Sequence, residues 1–163
     1  IELPDFNLQP INPSTFSKSA NNLEESLTEK KWVEGGIHTA HEILLAAERR
    51  ATDFEVKGIF ATNAYKLTKI QVVWPANGRE YKLCKPSTLA YTTLHGSTVY
   101  LCRRLFIESW VQTTELAQIL IHEGAHGIGY GNECDATIIE VGAMRTSGVG
   151  LRFKNGYWTR CGL

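Results

Sequence analysis

The chain has 163 residues, 43% of them hydrophobic, which suits one globular domain spanning 1–163 with its own core. Basic and acidic side chains both number 17, so the formal net charge is zero. That balance excludes the broad basic surface of a nucleic-acid or anionic-membrane binder, and the doublets Arg49-Arg50 and Arg103-Arg104 are too short to alter it.

No apolar run approaches the roughly 20 residues of a membrane span. The chain begins at Ile1 without a methionine, so we expect that a leader, a pro-segment or a neighbouring domain preceded it. Cys84, Cys102, Cys134 and Cys161 contain no Cys-x-x-Cys pair, which argues against a cysteine zinc ribbon. They permit two disulfides in three connectivities. We expect disulfides and a secreted or exported protein, with no partner implied beyond its substrate and a monomer as the default state.

In chain order, residues 1–14 hold Pro4, Pro10 and Pro13 and read as an extended arm. Phe16, Ala20, Leu23 and Leu27 then recur at helical steps, predicting a helix from Ser14 to about Trp32 that Gly35-Gly36 breaks. A second helix is predicted over 37–50, with Ile37, Ala40, Ile43, Leu44 and Ala47 as its apolar face. It carries His38 and His41 on one face, but no acid-bearing turn follows them, and they read as surface histidines. Residues 68–74 are rich in β-formers, Pro75-Ala76-Asn77-Gly78 is a turn, and 80–84 alternates as a return strand. A third strand is predicted over 97–103, offering an edge that an extended substrate joins as an added strand. His95, in the loop before it, reads as another surface histidine. A helix follows over 132–144, and Asn155-Gly156 signals a terminal hairpin. The sum is α+β: N-terminal helices, a small mostly antiparallel sheet, and later helices.

The chemistry concentrates in His122-Glu123-Gly124-Ala125-His126. Residues four apart share a helix face, so both imidazoles can meet one ion, and imidazole suits Zn²⁺. Glu123 lies about 100° round the helix from His122, placed to act on water rather than to bind the metal. The context is helical: Thr113 and Thr114 offer an N-cap, Glu115 follows, and Leu116, Ile119 and Leu120 form a buried stripe. Gly127, Gly129 and Gly131 end the helix, letting the chain turn back with a third ligand.

A catalytic zinc keeps three protein ligands and an open position. His95 is a remote candidate for the third, and the nearer ones are Glu133 and Asp135. Asn132 reads as an N-cap, so both acids fall in one first turn, about 200° apart, and only one can face the metal. Spacing alone does not choose between them.

From Ser97 to Asp135 the chain resembles the aspzincin metallopeptidases, the group of deuterolysins and peptidyl-lysine metalloendopeptidases. Members pair His-Glu-x-x-His with Gly-Thr-x-x-Asp-x-x-Tyr-Gly. Gly131 matches the glycine and Asp135 the aspartate, while Asn132 stands for threonine and Ile138-Ile139 for Tyr-Gly. The resemblance implies a zincin-like fold, one catalytic Zn²⁺ held by His122, His126 and Asp135, and peptide-bond hydrolysis with Glu123 as general base. The family tyrosine that helps stabilise the oxyanion needs a substitute here, and Tyr130 and Tyr157 are the candidates. Lysine specificity requires an acidic pocket residue, and after Asp135 only Glu140 remains. The rival expectations are a zinc amidase acting on cell-wall peptides, a secreted toxin domain, and a non-catalytic binding module with a structural zinc. In the last of these, Glu133 or Cys134 would close the site as a fourth ligand.

Overall fold

A computed structural model describes residues 22–73, 84, 88–102 and 111–163. Its elements are α1 (Asn22–Arg50), α2 (Phe54–Leu67), β1 (Gln71–Val73), β2 (Ala90–Thr92), β3 (Thr98–Leu101), α3 (Thr113–Gly127) and α4 (Glu133–Thr146). This is the expected α+β class. The histidine-bearing helix α3 is buried all round from Glu115 to Gly127, its apolar residues in the core and its polar stripe of Glu115, Gln118, His122 and His126 also covered. Leu44 of α1, Phe60 and Leu67 of α2, Leu101 of β3 and Met144 of α4 pack in one core with Leu116 and Leu120 of α3. A rigid, central α3 is what fixes the spacing of the two histidines.

The N-terminal helices differ from expectation. Gly35-Gly36 does not break a helix: α1 runs through it as one element. The glycines are there for closeness. A Cβ on Gly36 would lie 2.6 Å from Leu116 Cδ2, and one on Gly35 would lie 3.2 Å from Thr113 Cγ2. Helix α3 therefore crosses α1 at a notch that only glycine leaves open. Trp32 seals the crossing by donating its indole N–H to the Val111 carbonyl at 3.1 Å.

Helix α2 was not anticipated. Asp53 caps it by accepting the Val56 N–H at 3.0 Å, and Phe60, Asn63, Ala64 and Leu67 are its buried face. Apolar Phe54 and Tyr65, 90% and 66% exposed, blur that period in the sequence.

The sheet is mixed rather than mostly antiparallel. β1 pairs in parallel with β3 and β2 pairs antiparallel with it, in the order β1-β3-β2. β3, expected to present an edge to substrate, is therefore the central strand, because β2 occupies its other side. The expected arm, the first turns of the first helix, the 75–78 turn and most of the 80–84 strand lie outside the described residues. The Asn155-Gly156 hairpin does not form. Lys154 makes a single bridge, and Asn155 is buried, its Oδ1 accepting the Tyr157 N–H at 2.8 Å in a local side-chain turn that competes with a hairpin.

The cysteines form two disulfides, Cys84–Cys102 and Cys134–Cys161. Two disulfides in a small domain are compatible with an extracellular protein. Among the described residues no helix is long and apolar enough to cross a membrane.

Candidate metal centre

Helix α3 ends as the three glycines foretold. Gly129 adopts φ +114°, the Tyr130 N–H returns to the Ala125 carbonyl at 3.1 Å, and the Gly129 N–H bonds the His126 carbonyl at 3.1 Å. This is a Schellman-type close that needs a residue without a Cβ. The turn also aims the Tyr130 carbonyl at His126 Nδ1, 2.6 Å away. Asn132 then starts α4 as expected, accepting the Cys134 N–H at 2.7 Å. The cap at the start of α3 is Gln112 rather than Thr113 or Thr114, its N–H bonded to Glu115 Oε1 at 3.3 Å.

That geometry decides which acid of α4 meets the histidines. Glu133 Oε2 lies 3.3 Å from His122 Nε2, and Glu133 Oε1 lies 2.7 Å from His126 Nε2. Asp135, the third ligand implied by the resemblance, is exposed and outside this group. Two residues along a helix turn a side chain by about 200°, so with Glu133 facing α3, Asp135 faces away. His122, His126 and Glu133 offer one ligand atom each, all within 4.8 Å of one another, and form the group able to hold a metal ion. His38, His41 and His95 are not in it. His38 is exposed and His41 half-buried on α1, and both face a groove of about 310 Å³ alongside Leu67. His95 is exposed in the loop between β2 and β3, its N–H on the His126 carbonyl at 3.2 Å.

Both imidazoles are oriented from behind. His122 Nδ1 meets Glu140 Oε1 at 2.9 Å, as His126 Nδ1 meets the Tyr130 carbonyl. Those partners only accept, so each Nδ1 carries a proton, which assigns each Nε2 a lone pair unless it is protonated as well. With both Nε2 atoms deprotonated, two lone pairs and a carboxylate converge on one point. His126 Nε2 and Glu133 Oε1 are close without being aligned as a hydrogen bond, and both are buried with no other partner among the described residues. Acceptors gathered this way need a cation or extra protons between them. Two nitrogens and one carboxylate, with each histidine held through its second nitrogen, fit a divalent metal ion.

Glu140 is the hub behind the histidines. It accepts from His122, from Gln118 Nε2 at 2.6 Å and from Asn155 Nδ2 at 2.9 Å. Fully engaged and buried, it is not a pocket residue for a substrate lysine. The residues 133, 137 and 140 share one face of α4 at helical spacing, a signal that would have found Thr137 and Glu140 beside Glu133. Asn155 was legible only as a turn residue.

The electrostatics follow from burial and these contacts. Burial opposes a charged His122, but the bonds to Glu133 and Glu140 outweigh it and raise its pKa to about 10. Burial likewise opposes a charged Glu133, yet its contacts with His122 and His126 lower it to about 2. Glu123 is different: among the described residues neither carboxylate oxygen has a hydrogen-bond partner, and burial, only partly offset by His122, pushes its pKa up to about 8. Tyr157 stacks over His122, with ring centroids 6.4 Å apart and planes 9° from parallel, and its hydroxyl bonds Glu133. Burial first, then Glu133, keeps that hydroxyl protonated well beyond the usual range. Tyr130, the other candidate, contributes its backbone carbonyl.

The chain matches no protein-family model, no curated protein and no solved structure.

Proposed function

We propose that the chain is a zinc-dependent endopeptidase of zincin type, related to the aspzincins through its motif but with Glu133 in place of Asp135 as third ligand. The observation that carries the reading is Glu123. It is a fully buried carboxylate with no hydrogen-bond partner among the described residues, one residue from a histidine of the candidate metal group. Such a group is costly to fold around and has no use in a purely structural site.

His122, His126 and Glu133 would hold the ion. When bound, Zn²⁺ supplies a positive charge that acidifies water and polarises a carbonyl. Glu123, ionised once a bound cation offsets its burial, would take a proton from the attacking water and hand it to the leaving amine nitrogen. Tyr157, whose single O–H is given to Glu133 in the metal-free chain, would donate to the oxygen on which charge develops only once Glu133 is committed to the ion. Glu140 and the Tyr130 carbonyl keep both imidazoles in the ligating tautomer. The rival structural-zinc module needs a fourth protein ligand. Cys134 is spent in a disulfide, and among the described residues only three groups converge.

The test is cleavage of an unfolded protein such as casein by the zinc-loaded chain and its Glu123→Gln form. Glu123→Gln should bind zinc normally and cleave at least about 100-fold more slowly, since a positioned base supplies 10²–10⁴. Equal activity in the two forms would refute the mechanism. Cleavage of purified peptidoglycan but not casein would move the substrate to cell-wall peptides with the same residues.

A further inference from the structure

The last turn of α4 and the residues after it bring three cations close to the metal centre. Arg160 lies over the Tyr157 ring, Cζ 5.4 Å from its centroid, and Tyr157 in turn stacks on His122. Next to it, the Trp158 ring carries Lys154 Nζ at 5.0 Å and Arg145 Cζ at 5.5 Å. All three cations are exposed, and none is in an ion pair among the described residues, where Arg152 pairs with Glu115 and Glu133 with the histidines. The backbone of Arg160 is also tethered covalently. Arg160 precedes Cys161, which is bonded to Cys134, the residue after Glu133, with the two cysteine Cα atoms 5.4 Å apart.

A guanidinium resting on an aromatic face keeps its in-plane N–H groups free, and their fork matches a carboxylate. We propose that Arg160, backed by Lys154 and Arg145, forms a subsite for a carboxylate of the peptide substrate, so that the enzyme prefers peptides with Asp or Glu near the bond it cuts. The inference rests on the endopeptidase reading and adds its substrate class. Two ring contacts, 5.4 Å and 6.4 Å, separate the guanidinium from the His122 imidazole. An extended peptide advances about 3.3 Å per residue, so the acidic residue falls within about four residues of the scissile bond. With no net charge on the chain as a whole, the preference is local to this rim rather than a long-range steering effect.

The experiment uses the zinc-loaded full chain and peptides of one sequence with Asp, Asn or Lys at successive positions flanking the cleaved bond. At one position the Asp-to-Asn ratio of kcat/KM should be about five-fold, the upper range for a solvent-accessible pair, carried by KM. It should shrink towards one in about 0.5 M salt. Arg160→Glu, an exposed and fold-neutral change, should turn the preference towards Lys. A ratio near one at every position, or a preference that Arg160→Glu leaves intact, overturns the subsite. Calorimetric binding of the same peptides to zinc-loaded Glu123→Gln separates the two readings. Asp-over-Lys binding that reverses in the Arg160→Glu double variant supports the subsite even where nothing is cut, whereas uncut peptides alone count against the endopeptidase. Binding without charge preference overturns the subsite whatever the cleavage result.

Discussion

Replacing Glu140 by glutamine keeps the size of the side chain and removes one acceptor atom from the hub behind His122. Glu140 Oε1 receives His122 Nδ1 and Asn155 Nδ2, both at 2.9 Å, and Oε2 receives Gln118 Nε2 at 2.6 Å. If the new amide oxygen stays on the His122 side, the new NH₂ faces the Gln118 NH₂. Gln118 cannot simply flip, because its Nε2 also donates to the Phe153 carbonyl at 2.9 Å and its Oε1 accepts the Arg152 N–H at 2.9 Å. One buried donor is thus left facing another, at a cost of about 1–3 kcal/mol. A loss of about 2 kcal/mol in a domain of this size lowers Tm by about 4–8 °C. His122, held by a neutral acceptor instead of a carboxylate, should bind zinc about 10–100-fold more weakly. Chelator competition measures the affinity, and thermal unfolding of the metal-free forms measures the stability. Zinc affinity within two-fold of the parent would refute the orienting role assigned to Glu140, even if Tm fell as expected.

The remaining expectations concern pH, packing and the disulfide. His122 and Glu123, with pKa values raised to about 10 and about 8, stabilise the metal-free fold at low pH and lose that contribution as pH rises through those values. Glu133, lowered to about 2, contributes fully above the ordinary carboxylate range and loses its contribution as pH falls towards 2. Metal-free Tm should therefore be highest near pH 5 and fall towards pH 9, while zinc binding near neutrality should release between about one and two protons, from His122 and Glu123, read by calorimetry in buffers of different ionisation enthalpy. Zinc uptake without proton release would contradict the protonated state assigned to His122. Gly124→Ala should cost about 1–3 kcal/mol in denaturant unfolding, because its Cβ would run into the buried Asn63 Oδ1 that packs α2 onto α3. A cost below about 0.5 kcal/mol would show that α2 yields there. Cys134→Ser with Cys161→Ser should lose about 3–4 kcal/mol, from a bridge whose cysteines are 27 residues apart, and should also weaken zinc binding, since Cys134 adjoins Glu133. Unchanged zinc affinity would detach the bridge from the site.

The site was readable where local rules govern it. His122, Glu123 and His126, the glycine-ended helix and the Asn132 cap all depend on spacings within one turn or two. What the spacing could not settle was which acid faces the histidines. That depends on the rotational setting of α4, fixed by the Gly129 turn and the Asn132 cap together. The resemblance chose Asp135, whereas the rotation of α4 brings Glu133 to the histidines. Gly35-Gly36 misled for a related reason: a glycine pair reads as a breaker unless the crossing partner is known, and Leu116 lies 80 residues away. Helix α2 was hidden by apolar residues on its exposed face, and Asn155 by its resemblance to a hairpin turn when its side chain serves Glu140 instead.

The most direct test of the central claim is the zinc content of Glu133→Ala and Asp135→Ala beside the parent chain, by elemental analysis after loading and dialysis. The account predicts one zinc per chain in the parent and in Asp135→Ala, and loss of zinc in Glu133→Ala. Zinc lost from Asp135→Ala and kept in Glu133→Ala would contradict it and restore the ligand set of the aspzincins.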